Sequence, residues 1–279
     1  MSLHPPADLA PSPARRVHEV LGRVRTHDDA AEGYRLLELE VPGHALHCAP
    51  GQFYHILCPV DAQDQPFLRR PMSIYAYDRA AGRLSFLYKV TGTGTAALSR
   101  LGVGDSVNVA GPLGHGFTIP AGAGRLILVA RGVGLATLAP LAQEAARLAR
   151  PLTAFCSARS PAHLMSVDRF AALGADVVTV TDGEGTSDPA QLERRIEALV
   201  AAGPVDMIYT CGSNRLLSLC QTLCRRHGIS GEVALEQQMA CALGMCQCCV
   251  RPFRRDGRIV QERVCREGPV FDIQEALQW

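Results

Sequence analysis

Met239–Cys265 reads MACALGMCQCCVRPFRRDGRIVQERVC, and four of its cysteines stand in a metal-ligand order. Cys241 is followed after four residues by Cys246, then after two by Cys249, then after fifteen by Cys265. The pattern C-x4-C-x2-C…C supplies four thiolates to a [2Fe–2S] cluster, three from one tight loop and one from a returning strand. The bridging sulfides need backbone N–H donors nearby, and Gly244 lets the loop backbone come close. Cys248 falls between two candidate ligands and reads as a bystander, with replacement of Cys249 as the alternative.

Other cysteine chemistries fit less well. Structural zinc commonly takes two C-x2-C pairs, and the lone Cys265 makes no second pair. A zinc-binding interaction module without redox chemistry stands as the reading of another class. A disulfide knot needs an oxidising compartment. The N-terminus, MSLHPPADLAPSPARR, is rich in Pro and Ala and has no apolar signal core. Residues 1–16 are therefore expected to be a loose tail, and the chain to be cytoplasmic. The remaining cysteines, at 48, 58, 156, 211, 220 and 224, read mostly as small buried apolar residues.

Composition bounds the rest. The 279 residues are 47% hydrophobic, enough for two cored domains and a small third one. A formal net charge of +1 favours neither nucleic acid nor an acidic membrane surface. No uncharged apolar run reaches the roughly 18 residues a membrane-spanning helix needs.

Residues 17–120 read as an antiparallel β-barrel. Arg35–Pro42 (RLLELEVP) and Arg83–Val90 (RLSFLYKV) largely alternate apolar and polar residues, and turn signals at Pro50-Gly51, Asp78–Gly82, Gly102–Asp105 and Gly111–Gly116 separate the strands. Three pieces carry chemistry. Pro50-Gly51-Gln52-Phe53 leads into a strand. Arg70-Pro71-Met72-Ser73-Ile74-Tyr75 offers a guanidinium fork suited to phosphate and a small hydroxyl three residues on. In extended chain Arg70 and Ser73 face opposite sides, so the site must be built around the bend at Pro71. Gly92-Thr93-Gly94-Thr95 precedes a short helical pattern, AALSRL, and glycines there expose N–H groups to a pyrophosphate.

In this order, and followed by Gly104-Asp105 and GPLGHGF from Gly111, these motifs resemble the flavin domain of the ferredoxin–NADP reductase superfamily. With the C-terminal LEQQMACALGMCQCC and VCREGPVFD, the chain resembles the electron-transfer subunits of NAD-linked dihydroorotate dehydrogenases from about Val17 to Trp279. The resemblance implies FAD, with Arg70 and Pro71 at its phosphates and Met72 and Ser73 near its reactive ring. Lys89, Val90, Gly94 and Thr95 complete the FAD set, Gly94 and Thr95 cradling the pyrophosphate. Relatives often place a tyrosine before that serine to stack on the flavin; Met72 stands there instead, so stacking is softer or comes from elsewhere. His115 reads as a turn residue.

Residues 121–230 alternate strand and helix. Strands are expected at Arg125–Ala130, Pro151–Cys156, Asp176–Thr181 and Met207–Cys211. Helices are expected at Leu135–Arg150, Asp188–Ala201 and Asn214–Arg226. That order implies a parallel sheet with its ligand at the strands' C-terminal ends. The resemblance implies NAD(P) there, bound by Gly132 and Gly134 after the first strand and by Cys211 and Gly212 after the last. Two departures weaken it. Ala130 and Arg131 replace the usual glycines, so Arg131 either crowds the dinucleotide or binds its phosphate. Ser213 replaces the usual proline. Arg159-Ser160 is a further place for a ribose or phosphate, or a solvated loop.

Residues 231–279 form the expected cluster domain. Arg251, Arg254, Arg255, Arg258 and Arg263 make either a basic rim for an acidic partner or a solvated hairpin. Phe271 and Trp279 belong either under the cluster or at an interface. The implied order of carriers is nicotinamide, FAD, cluster. A nicotinamide gives two electrons together, a cluster takes one at a time, and a flavin does both. The exit is a second redox protein, which the resemblance makes an FMN-containing dehydrogenase. The alternatives are a similar subunit of another oxidoreductase complex, or a stand-alone NAD(P)H reductase.

Overall fold

The computed structural model describes residues 17–60 and 62–278. The tail expected at residues 1–16, and Trp279, lie outside the described residues.

The first unit is built from β1 (His18–Ala31), β2 (Tyr34–Glu40), β3 (Phe53–Leu57), β4 (Arg70–Ser73), β5 (Ala76–Asp78), β6 (Arg83–Lys89) and β7 (Ser106–Leu113), with helix α1 (Thr93–Ser99) before β7. The strands pair antiparallel in the order β4-β3-β7-β1-β2-β6-β5. The two outermost strands, β4 and β5, are joined by Ile74 and Tyr75 alone. Ile74 N–H bonds to Gln52 on the β3 side, and Tyr75 N–H to Ser85 of β6. The sheet therefore curls until its edges meet, and the inward positions Leu37, Leu39, Tyr54, Ile56, Phe86 and Val109 fill the closed interior.

The second unit runs β8 (Arg125–Arg131), α2 (Gly134–Arg147), β9 (Leu152–Ala158), α3 (Val167–Ala172), β10 (Asp176–Thr181), α4 (Pro189–Ala202), β11 (Val205–Cys211), α5 (Asn214–His227) and β12 (Ser230–Ala234). Local chemistry sets the helix ends. Asp188 caps α4 by accepting from the N–H groups of Ala190 and Gln191, with Pro189 in the first turn. Gly228, at φ 65°, ends α5. Helix α2 stops at Arg147, before the expected Arg150, because Ala149 turns left-handed at φ 52°.

The C-terminal segment adds the hairpin β13 (Val250–Arg255) and β14 (Arg258–Arg263), then β15 (Val270–Asp272). The second sheet has the order β10-β9-β8-β11-β12-β15, parallel except for β15. Strand β12 thus belongs to the α/β sheet, so the boundary expected at 230/231 moves past Ala234. The chain direction across the sheet reverses between β8 and β11, the switch point where such sheets hold ligands.

Phe271 is buried, its ring 4.2 Å from that of Phe253, so it pins the hairpin to the sheet. Carboxylates neutralise two of the five arginines of the rim, and a third is buried. Arg255 pairs with Glu262 and Glu275, Arg263 with Glu267, and Arg251 is buried. A solvated, internally paired hairpin fits better than a steering patch.

The units meet at Gly114, whose φ of 73° and neighbours both demand glycine. An added Cβ would lie 2.5 Å from Pro269 and 2.6 Å from the carbonyl oxygen of Gly268. The next residue, His115, donates its N–H to that same carbonyl at 2.6 Å and forms an isolated bridge with Pro269, so it ties two distant segments together rather than serving a local turn. Gly114→Ala is expected to cost about 2–4 kcal/mol, read as a lower denaturant midpoint at unchanged m-value.

Candidate functional site

Segments from all three parts of the chain wall a cleft of ≈ 270 Å³. The barrel contributes Phe53, Arg70, Pro71, Met72, Ser73, Lys89 and Thr95, α2 and its preceding turn contribute Val133, Ala136 and Thr137, and the C-terminal segment contributes Glu236, Gln237 and Met239. Arg70 and Ser73 reach the same cleft although they start on opposite strand faces. Arg70 leaves the strand end and lies over Gly94, where an added Cβ would sit 2.7 Å from its Nε. Thr95 Oγ1 accepts the N–H groups of Thr91 at 2.9 Å and Gly92 at 3.1 Å, fixing the turn into α1. The result is a cradle of small residues under a guanidinium, next to a mainly apolar slot. A diphosphate and a planar heterocycle fit those two parts respectively. Met72 is 7% exposed and also packs into the barrel core opposite Tyr54, so it is not a free stacking platform. Val90 follows β6, just outside the residues lining this cleft.

At the inner end of the cleft, Thr137 Oγ1 donates to Ser73 Oγ at 3.0 Å, tying barrel to helix. Thr137 also bonds the thiol of Cys211. Burial, then the nearby Glu236 carboxylate, push that thiol well above its usual range. Glu236 keeps solvent access, yet protein crowds its carboxyl enough that desolvation raises its pKa. The sequence pointed to Ser73 and Cys211, but not to Thr137 or Glu236. Thr137 sits inside an Ala- and Leu-rich helix, and Glu236 stands next to the cysteine loop with no motif of its own. A wider cleft of ≈ 940 Å³ between Arg79 and Arg147 takes in Pro50 and Phe117 from the flanking motifs but none of Arg70, Ser73, Gly94 or Thr95.

The second group of candidates sits at the switch point. An added Cβ on Gly134 would lie 2.6 Å from the carbonyl oxygen of Cys211, and one on Gly212 would lie 2.6 Å from that of Arg131. The turns after β8 and β11 touch, and only glycine fits at both positions. The Arg131 side chain runs along the strand ends to the residue after β10. Its guanidinium is paired with Asp182, Nη1 to Oδ1 at 3.1 Å and Nη2 to Oδ2 at 2.5 Å.

The third group is the cysteine loop. Cys241 Sγ accepts N–H bonds from Leu243 at 3.4 Å and Cys246 at 3.5 Å, and the Cys246 thiol joins it. Partial burial raises the Cys241 pKa, but these donors outweigh it and hold the thiol down at about 6. Cys265 N–H donates to Cys249 Sγ at 3.4 Å, and burial together with the Cys249 thiol push Cys265 up. Among the described residues, no three His, Cys, Asp or Glu side chains converge on one point as a single ion requires. The four sulfurs instead form two pairs, 241/246 and 249/265, a donor set for two metal atoms with two thiolates each. Gly244, at φ 80°, lies against Arg266, where a Cβ would meet Cδ at 2.7 Å, and its carbonyl accepts Arg263 Nη1 at 3.0 Å. The thiol of Cys248 turns away, toward the carbonyl oxygen of Gln238 at 3.9 Å.

Comparison with known proteins agrees with this arrangement. Residues 23–117 match an oxidoreductase FAD-binding domain, and residues 236–277 match the iron-sulfur cluster binding domain of dihydroorotate dehydrogenase B. The electron transfer subunit of NAD(+)-linked dihydroorotate dehydrogenase B from Desulforamulus reducens is 35% identical over 84% of this chain and 89% of its own. The chain belongs to the dihydroorotate dehydrogenase B electron transfer subunit family. The family's subunit from Caldanaerobacter subterraneus subsp. tengcongensis is likewise 35% identical, over 89% of this chain and 94% of its own. Among solved structures, a chain of the NADH-dependent reduced ferredoxin–NADP oxidoreductase studied for flavin-based electron bifurcation superposes with a TM-score of 0.76. It is 26% identical and covers 92% of this chain and 89% of its own. The Amycolatopsis cytochrome P450 reductase GcoB, at 22% identity and TM-score 0.61, shares the fold over 77% of this chain and 67% of its own. Among the described residues no helix is long and apolar enough to cross a membrane.

Proposed function

We propose that this chain is the electron-transfer subunit of a dihydroorotate dehydrogenase of the NAD-linked kind, passing electrons between an FMN-containing partner subunit and NAD(P) in pyrimidine biosynthesis. When bound, FAD exchanges electrons in pairs with a nicotinamide and singly with a [2Fe–2S] cluster. Arg70, Gly94 and Thr95 hold the FAD diphosphate, with Pro71, Lys89 and Val90 beside it. Met72 and Ser73 border the flavin ring, and Thr137 fixes the Ser73 hydroxyl. Gly132, Gly134, Cys211 and Gly212 shape the approach for a nicotinamide dinucleotide. Cys241, Cys246, Cys249 and Cys265 ligate the cluster, and Cys248 does not. The proposed units are the barrel at 17–120, the α/β unit from 121 to about 234, and the cluster segment to 279. The proposed location is the cytoplasm, where thiols stay reduced.

One observation carries this reading. Met239 lines the flavin cleft and Cys241 opens the cysteine loop two residues later. Two residues of chain span at most about 7 Å, so the two cofactor sites adjoin. Anaerobic titration with NADH or NADPH tests the proposal. Flavin absorbance near 450 nm is expected to bleach, and a cluster EPR signal to develop in the same titration. Bleaching without any cluster signal would contradict it. Co-expression with candidate partners is expected to yield a stable complex with an FMN-bearing, dihydroorotate-oxidising subunit. A complex with a different oxidoreductase would favour the alternative subunit reading.

A further inference from the structure

One side-chain bridge spans the carboxyl ends of β8, β9 and β10. Arg131, the last residue of β8, donates from Nη1 to Ser157 Oγ of β9 at 3.1 Å and to Asp182 Oδ1 at 3.1 Å, and from Nη2 to Asp182 Oδ2 at 2.5 Å. Asp182 directly follows β10, and Ser187 Oγ also donates to its Oδ1. The two hydrogen-bonded partners, Arg131 first and Ser187 second, hold the Asp182 carboxyl below the usual carboxylate range, so it is ionised and paired. The side chains are 22% and 42% exposed, so the bridge lies at the surface of the strand ends.

Position gives the bridge its meaning. In a doubly wound sheet a dinucleotide lies across the strands' carboxyl ends, its pyrophosphate at the turn into the helix after the first strand. That turn here is Gly132-Val133-Gly134. On one side of it lies the cleft with Ser73 and Thr137, with Cys211 buried behind. On the other side lie the ends of β9 and β10, and there the bridge stands. Its guanidinium points along the sheet edge toward β10, away from the β8/β11 switch point, with Nη1 and Nη2 both bonded to protein acceptors. Its charge is already paired with a carboxylate that repels a phosphate, and the bulk of the pair stands in the path of whatever crosses β9.

We propose that the Arg131–Asp182 bridge obstructs the adenosine half of a nicotinamide dinucleotide, weakening binding of the whole molecule while leaving the nicotinamide half unaffected. This rests on the assignment of a nicotinamide site to the α/β unit. Removing Arg131 alone would leave Asp182 as a bare carboxylate facing a diphosphate, so the informative variant changes both residues.

The test uses the oxidised, FAD-loaded protein and calorimetric titration with NAD+ and with nicotinamide mononucleotide, neither of which reduces the flavin. The combined Arg131→Gly, Asp182→Ser protein is expected to bind NAD+ about tenfold more tightly than wild type. The mononucleotide constant is expected to stay within about twofold. Asp182→Asn, which keeps its own shape but removes the carboxylate charge that holds Arg131 across the strand ends, frees the larger side chain to move aside and is expected to move NAD+ affinity the same way by about threefold; it guards against a folding defect in the double variant. NAD+ affinity that is unchanged or weaker in the variants, with wild type binding normally, overturns the bridge as an obstruction. If neither wild type nor variants bind NAD+, NADP+ or the mononucleotide, the nicotinamide site itself falls.

Discussion

Cys246→Ser protein is expected to purify with its full FAD content and with less than about a tenth of the wild-type iron and acid-labile sulfide. Cys246 suits the test because it is solvent-exposed and outside the hydrophobic clusters, whereas Cys249 and Cys265 are 2% exposed and packed in the core beside Phe253. Serine at 246 removes one thiolate and leaves the fold untouched. Its pair partner Cys241, still bonded by the Leu243 N–H, is then the one thiolate left of that pair and cannot hold a metal atom alone. Cys248→Ser is the companion, expected to retain its iron because that thiol faces the carbonyl of Gln238 and not the pairs. Full iron in Cys246→Ser, or iron loss confined to Cys248→Ser, would reassign the ligand set.

Arg70→Ala is expected to show the reverse pattern, keeping iron while its FAD dissociation constant rises about fiftyfold or more. That factor corresponds to the loss of one or two charge-assisted hydrogen bonds to a phosphate. The guanidinium is set over Gly94, whereas Lys89, the other cation lining the cleft, holds its ammonium over the Tyr34 ring, 5.7 Å from the centroid, and has no fork to offer. Arg70→Lys keeps the charge and loses the fork, and it is expected to fall between wild type and alanine. Equilibrium dialysis of FAD against the apoprotein reads the difference. Unchanged FAD affinity in the alanine variant would remove Arg70 from the diphosphate site.

The large elements were legible because their patterns are local. Asp176–Thr181 carries an uninterrupted β-branched run from Val177 and is β10 to the residue, and the capped helix after Asp188 begins where its proline and aspartate put it. The elements that escaped depend on distant partners. Strand β15 is three residues long and exists because it pairs with Glu232–Ala234, nearly forty residues earlier in the chain. Strand β12 contains Gly231, which looks like a turn residue. It is required because a Cβ there would meet Ile273 at 2.8 Å and Cys224 at 2.9 Å. Neither neighbour is visible in a linear reading.

The site divides the same way. The cysteine order and the Arg70–Ser73 motif sit in contiguous stretches and could be read directly. Thr137 is one polar residue in a helix whose rotational phase the sequence leaves open, and its meaning comes from Ser73, sixty-four positions away. Arg131 was read as either an obstacle or a phosphate ligand. The structure adds a third fact, the Asp182 carboxylate fifty-one positions on. The five arginines of the hairpin show the converse. Their sequence allows either a basic rim or a solvated hairpin, and the choice depends on Glu262, Glu267 and Glu275, which stand close enough to neutralise two of them.

The central claim is that one chain holds FAD and a two-iron cluster in adjoining sites. Cofactor analysis of anaerobically purified protein tests it most directly: flavin released by acid, iron, zinc and acid-labile sulfide, each per mole of chain. About one FAD, two irons and two sulfides per chain are the expected result. A colourless protein carrying zinc, with neither flavin nor sulfide, would contradict it.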